Sequence, residues 1–379
     1  MNFILDFTWY NIIQFLFVLT VLVYIHEWGH YWVARRNNVR VEVFSIGFGP
    51  ELFGWTNKAG TRWKISAIPL GGYVKMLGQS DLPEGDENSD SIKEEDKPYS
   101  FKYKSLAQRS AIVFAGPLAN FILAVVLFSG LIMAVGIPKH YAGIGNVQKE
   151  SAAAEAGFEA GDRIIEVNGK TITWFSDLVE IVSSSPGVSL KITILRDEVE
   201  QTLIAVPKIS NKIDKNGNKI EFGILGIGND PKQAEYKRYS PWTATWMGIQ
   251  QTAMLTTNLL SYLGEMITGK RGAEELGGPL RIAQLTGQMA RSGFDDLIFL
   301  MAALSVNLGL INLFPIPLLD GGHLMYFAAE AIRGRPLGPR VQDYGFRLGL
   351  ILVLILMVFA TWNDLVQLEV IDFFKNLLN

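Results

Sequence analysis

The sequence predicts a polytopic α-helical membrane protein with four transmembrane helices, a β-hairpin region on one side of the membrane and a small α+β domain on the other. Three observations carry this. Four apolar runs approach the ~20 residues of helix that a hydrocarbon core requires. Across 379 residues, 49% are hydrophobic and only 19% charged, against about 25% charged in soluble domains. Between the runs, the pattern changes to short alternating stretches punctuated by Gly and Pro, the mark of strands and turns.

Composition also excludes function classes. A net charge of −3 gives no reason to expect a nucleic-acid partner. The chain has no cysteine and four histidines. Disulfides, thiolate metal sites and cysteine nucleophiles are therefore absent, and any metal must be held by His and carboxylates.

Residues 1–38 are expected to form the first transmembrane helix, apolar from about Trp9 to Trp32. Asp6 precedes the run, and neither a basic n-region nor a small-residue cleavage site frames it, so it reads as a retained anchor. Its end carries His26-Glu27-Trp28-Gly29-His30. An H-E-x-x-H pattern on a helix puts two imidazoles on one face, where they can share a Zn²⁺, with the intervening Glu as general base toward water. Residues 39–79, with alternation in Thr61 to Ser66 and a glycine pair at Gly71-Gly72, read as a membrane-associated β-hairpin region. It is either an ordinary hairpin or one that offers an edge to an extended substrate. Residues 80–100 are acidic and read as a flexible linker.

The second transmembrane helix is expected within 101–137, and the third within 294–319. The fourth opens the segment 346–379 and is followed by a C-terminal tail. Arg35, Arg36 and Arg40 follow the first run, Lys102, Lys104 and Arg109 precede the second, and Arg333, Arg335, Arg340 and Arg347 lie between the third and fourth. Placing all three basic clusters inside puts the zinc motif at the cytoplasmic end of its helix and the hairpin on the cytoplasmic side. Residues 138–293 and the C-terminus then fall outside. Within 210–293, the helical pattern from Pro241 to Thr268 suits a helix that lies at the interface or packs against the spans; Gln250, Gln251, Asn258 and Glu265 make a fifth full span the less favoured alternative.

A catalytic zinc site needs a third protein ligand. His140 falls on the outer side, most of a ~30 Å core away from the motif. The segment 320–345, at the cytoplasmic end of the third run, begins Asp320-Gly321-Gly322-His323 after two prolines, Pro315 and Pro317. Spacing alone does not choose between Asp320 and His323.

The run Ser151-Ala152-Ala153-Ala154-Glu155-Ala156-Gly157-Phe158, then Gly161-Asp162-Arg163-Ile164-Ile165-Glu166-Val167-Asn168-Gly169, resembles bacterial PDZ domains. One extracytoplasmic PDZ domain is thus expected over 138–209, with a helix at Phe175 to Ser183 and strands at Ser189 to Leu195 and Gln201 to Val206. Such a domain either takes a peptide at its sheet edge or filters access by size.

Taken together, H-E-x-G-H, the run Asn312-Leu313-Phe314-Pro315-Ile316-Pro317-Leu318-Leu319-Asp320-Gly321-Gly322-His323 and the intervening PDZ-like domain resemble the bacterial site-2 protease family of intramembrane zinc metalloproteases. Gly47-Phe48-Gly49-Pro50 and Gly116-Pro117-Leu118-Ala119-Asn120-Phe121 fit the same pattern. The resemblance implies His26, His30 and Asp320 as zinc ligands and Glu27 as general base. It further implies Asn312 near the substrate, with Gly71 and Gly72 in a hairpin that guides it. The implied substrates are single-pass transmembrane proteins, anti-sigma factors or remnant signal peptides, already cut once on the outer side. The implied place is a bacterial inner membrane. His323 is expected to support the site rather than bind metal, Asn307 to pack between helices, and Asn120 stays open between packing and function. The competing expectation is a non-enzymatic membrane adaptor whose PDZ domain binds protein tails and whose metal is structural.

Overall fold

The computed structural model describes residues 9–79, 92–213, 219–230, 233–272 and 277–367. The chain divides into two compact units, Met1–Leu131 with Ser240–Asn379, and Ile132–Tyr239.

In the first unit, four helices are long and apolar enough to cross a membrane: α1 (Trp9–Arg36), α2 (Leu106–Ala134), and two that follow the second unit, Phe294–Asn312 and Pro339–Gln367. The α1–α2 contact is set by small residues. A side chain at Gly29 would collide with the Ala115 carbonyl and the Ala119 methyl, so the backbones approach closely, as small residues allow in membrane bundles. The Phe294–Asn312 helix packs on both. Val18 and Leu22 meet Leu297 and Met301, and Ala124 and Phe128 meet Ala302 and Val306. Ser305 Oγ donates to the Asn120 carbonyl at 2.8 Å, satisfying polar groups that hydrocarbon would leave unpaired.

Between α1 and α2, β1 (Val41–Thr56) and β2 (Arg62–Met76) are long, bent strands. Residues 43–46 lie opposite 62–65 on one side and 72–75 on the other, while 51–56 lie opposite 62–66. Two strands thus make a folded sheet of four segments, and 72–76 pairs on one side only among the described residues. Phe44 is its buried centre, stacked on Trp63 at 4.2 Å and edge-on to Tyr24 and Tyr31 of α1. Much of the linker expected over 80–100 lies outside the described residues. Its end departs from expectation: residues 94–99 form a 3-10 turn. The Arg40 guanidinium holds Asp96 at 2.8 Å, and the Arg40 N–H bonds the Tyr99 carbonyl, which fixes the turn.

The second unit holds β3 (Ile137–His140), β4 (Ile144–Val147), α3 (Ala152–Ala156), β5 (Arg163–Val167), β6 (Lys170–Thr171), α4 (Phe175–Ser183), β7 (Leu190–Arg196), β8 (Val199–Ala205), β9 (Lys208–Ile213), β10 (Lys219–Ile224), β11 (Ile227–Asn229) and β12 (Ala234–Lys237). Strands β6-β5-β7-β8 make its main sheet. Ile164, Ile192 and Ile194 of that sheet pack with Leu178 of α4 and Ile144 of β4. Ser151 caps α3, and Gly157 ends it at φ +84, a conformation that glycine adopts without strain. The boundary expected at 209 falls short. Strand β11 pairs with β4, and β12 with β3, so strands from the end of the segment complete the sheets begun at its start.

Returning to the first unit, α5 (Pro241–Ile267) is one 27-residue helix capped by Ser240. It turns Ala244, Gly248 and Thr252 inward, Gly248 against Val125 and Ser129, and leaves Trp242 and Trp246 exposed. Then come α6 (Pro279–Ser292), α7 (Phe294–Asn312), α8 (Asp320–Arg333) and α9 (Pro339–Gln367). Helix α7 ends at Asn312, short of the expected 319, because Pro315 and Pro317 cannot continue it. Helix α9 begins at Pro339 rather than 346. Only 6% of its apolar window is buried. It is attached at its ends: Gly345 and Gly349 press on Tyr326 and Pro317, and Asp364 accepts the Gly278, Leu280 and Arg281 N–H groups, capping α6.

Candidate metal centre

His26 and His30 sit one turn apart on the same buried face of α1. Asp320 opens α8, where the turn 313–319 delivers it. That turn folds back so closely that any side chain at Gly321 or Gly322 would strike the Leu313, Phe314 or Ile316 carbonyls. The result is a cluster. His26 Nε2 lies 3.1 Å and His30 Nε2 3.4 Å from Asp320 Oδ2, and the two Nε2 atoms are 3.2 Å apart.

The cluster fits zinc. Zn–N and Zn–O lengths of about 2.0–2.1 Å in a tetrahedron imply ligand-to-ligand edges of about 3.3–3.4 Å, close to the observed 3.1, 3.2 and 3.4 Å. The outer ring nitrogens have partners of their own. His30 Nδ1 donates to the Ile112 carbonyl at 2.9 Å, and Asn120 Nδ2 lies 3.1 Å from His26 Nδ1. With the Asn120 amide turned over, its Oδ1, a buried oxygen without a partner as placed, would accept from His26 Nδ1–H and leave Nε2 free for a metal. Both Nε2 lone pairs then converge on a buried carboxylate oxygen that has no hydrogen-bond donor of its own. Three lone pairs facing one point in a buried site call for a cation.

Helix α2 builds much of this site, and local sequence gives little sign of it. A Cβ at Gly116 would overlap the His30 ring and lie 2.9 Å from His26 Cε1, so that position must be glycine for the imidazoles to fit. Asn120, 0% exposed, is thereby a support of His26. The signal was available only as the Gly116 to Phe121 pattern, since 94 residues separate the partners.

The other expected residues fall as follows. Glu27 is half-buried on α1 between the two histidines. Gly72 packs against it: a Cβ there would lie 3.3 Å from Glu27 Cγ and 2.9 Å from Val23 Cγ1. Gly71 takes φ +132 with the Phe48 ring beside it, a backbone state that side chains disfavour. Asn312 is the half-buried last residue of α7. His323, one turn into α8, is outside the cluster, which among the described residues consists of His26, His30 and Asp320. His140 lies in β3 of the second unit, opposite Ala234.

A helix apolar enough to cross a membrane and bearing H-E-x-x-H, completed by a distant Asp, defines the class of membrane zinc metalloprotease. The chain belongs to peptidase family M50, whose model matches residues 14–356. It is 43% identical to "Putative zinc metalloprotease R01501" of Rhizobium meliloti (strain 1021), over 96% of this chain and 99% of that one. It is 44% identical to "Putative zinc metalloprotease Atu1380" of Agrobacterium fabrum, over 94% and 96%. To "Regulator of sigma-E protease RseP" of Escherichia coli K12 it is 34% identical over 464 aligned positions, covering 96% of this chain and all of the relative. That alignment exceeds 379 residues, so the relative carries inserted sequence. Among solved structures, the PDZ domain of the SdrC-like protein Lin2157 from Listeria innocua is 20% identical and covers 26% of this chain and 99% of that one, with a TM-score of 0.20.

Proposed function

We propose that the protein is an intramembrane zinc metalloendopeptidase that cuts transmembrane segments of membrane proteins near the cytoplasmic face of a bacterial inner membrane. The observation that carries this is the buried convergence of His26, His30 and Asp320, with Glu27 beside it, at a helix apolar enough to span a bilayer.

When bound, zinc supplies Lewis acidity toward water and the scissile carbonyl. The chain's own residues do the rest. Ile112 and Asn120 hold each imidazole with Nδ1 outward and Nε2 inward. Glu27 takes the proton from the attacking water and returns it to the leaving amine. A substrate helix keeps its carbonyls bonded internally, so it must unwind before attack. The edge segment 72–76 offers the extended form backbone partners beside Glu27, a β-addition mode, and Asn312 holds the substrate backbone. Substrates arrive already shortened on the outer side, with the PDZ-like unit limiting entry. The substrates are anti-sigma factors or remnant signal peptides.

The test is Glu27→Gln in purified protein with a membrane-embedded reporter. Zinc content should be unchanged and cleavage should fall by about 10²–10⁴-fold, the range of general acid–base catalysis. Retained cleavage contradicts the mechanism, and a wild type that does not cleave the reporter leaves the adaptor reading, in which the PDZ-like groove carries the function.

A further inference from the structure

We infer that Arg109 and Glu330 form a clamp that positions Asp320 for metal binding, completing a single face of α2 that orients all three ligands on the two helices that bear them. This rests on the metal-centre reading above.

Helix α2 presents Arg109, Ile112, Gly116 and Asn120 at spacings of three, four and four, which is one helix face. Three of these act on the histidines: Ile112 through its carbonyl, Gly116 by leaving space, Asn120 through its amide. Arg109 is the fourth, and it reaches the third ligand's helix. Its guanidinium makes a two-pronged contact with Glu330 of α8, Nη1 to Oε2 at 3.1 Å and Nη2 to Oε1 at 2.5 Å. Its Nε donates to the Lys104 carbonyl at 3.2 Å, which fixes the fork. Each side chain is only 15% exposed, so the contact is little screened, and bidentate Arg–carboxylate pairs are the directional ones.

The need for a clamp follows from how α8 is mounted. It is 14 residues long, with Asp320 at one end. It is entered through a proline-broken turn, and the Gly321-Gly322 pair packs on the 313–316 carbonyls, which seats the Asp320 end and leaves the far end to be held by α2. Glu330 lies ten residues along, close to three turns and about 15 Å from the ligand. Phe327 packs under the same guanidinium, 5.0 Å from ring centre to Cζ, and belongs to the buried cluster with Phe44, Phe101, Ile112 and Val113. A small swing of α8 about its glycine end would be stopped at Glu330. Since α2 also fixes both imidazoles, the clamp refers Asp320 to the same rigid body as its partners.

The experiment measures apparent zinc affinity by chelator competition in the full-length protein in detergent. It compares wild type, Arg109→Lys, Glu330→Gln, the Arg109→Lys/Glu330→Gln double variant and His30→Ala. Thermal midpoints of the metal-stripped proteins monitor folding. Arg109→Lys keeps a cation opposite Glu330 and loses only the fork, so it supplies a folded variant. The clamp predicts at least tenfold weaker zinc binding in each single variant, and no further loss in the double. On the reporter, kcat should fall while KM stays within about twofold. Wild-type zinc affinity in the folded single variants, or losses that simply add in the double, would overturn the clamp while leaving the metal centre intact. Zinc retained by His30→Ala would overturn the metal centre and the clamp with it.

Discussion

Asn120 illustrates how much a single buried amide decides. With its oxygen turned to His26 Nδ1, its side chain would keep the proton there and leave Nε2 to the metal. Replacing it with Ala removes that hydrogen bond from a buried position. Loss of such a supporting hydrogen bond typically weakens metal binding 10–100-fold, and Asn120→Ala should do so in chelator competition with little change in helix content. Gly116 acts by absence. Gly116→Ala places a methyl on the His30 ring and should lower zinc affinity at least as far. It should also cost about 1–3 kcal/mol of stability, the usual cost of overpacking, measured as a fall in the thermal midpoint. Of these residues the sequence showed His26, Glu27 and His30 outright, because their chemistry is contained in one turn of helix. Asn120 and Gly116 carry no such signal, because both act across a helix contact that no local pattern encodes. Asp320 was distinguished from His323 by family resemblance, and the geometry supplies the reason: the first residue of α8 faces the histidines, while the fourth does not join them.

Among the elements, the folded sheet of β1 and β2 bears most directly on substrate. Gly72 lets the edge segment lie against the Glu27 stem, so Gly72→Val should push 72–76 away from α1. Cleavage should fall with zinc content unchanged, a separation that reporter kinetics and metal analysis on the same preparation would show. Here the sequence reading located strands and turns but not their doubling back. A bent strand that pairs on both sides has the same alternation as a simple hairpin. The end of α7 was placed seven residues too far for a comparable reason: apolar residues continue to Leu319, but the prolines stop the helix at Asn312. The turn they impose is what brings Asp320 into the site.

At the scale of the molecule, the metal centre and the PDZ-like segment fall in separate units. The Ile132–Tyr239 unit has its own core and its own buried ion pair, Asp162 with Arg196 at 2.7 Å. Burial alone would push the Asp162 carboxyl up, but the Arg196 fork and the Glu159 N–H outweigh it and hold it below the usual value. A depressed carboxyl contributes stability above its unfolded value of about 3.9, and that contribution is lost as pH falls through the lower folded value. The unit should therefore resist acid to below about pH 4. Arg196→Ala leaves a buried carboxylate unpaired, so it should cost about 3 kcal/mol and move acid unfolding to higher pH, followed by circular dichroism. The motifs locate this domain but end it thirty residues early, because β11 and β12 pair with strands eighty or more positions back.

The central claim is that His26, His30 and Asp320 hold the catalytic zinc, and metal stoichiometry in purified full-length variants tests it most directly. Wild type, Glu27→Gln and His323→Ala should each carry one zinc per chain, while His26→Ala, His30→Ala and Asp320→Ala should carry essentially none. Full zinc occupancy in Asp320→Ala, or its loss in His323→Ala with Asp320 intact, would contradict the account.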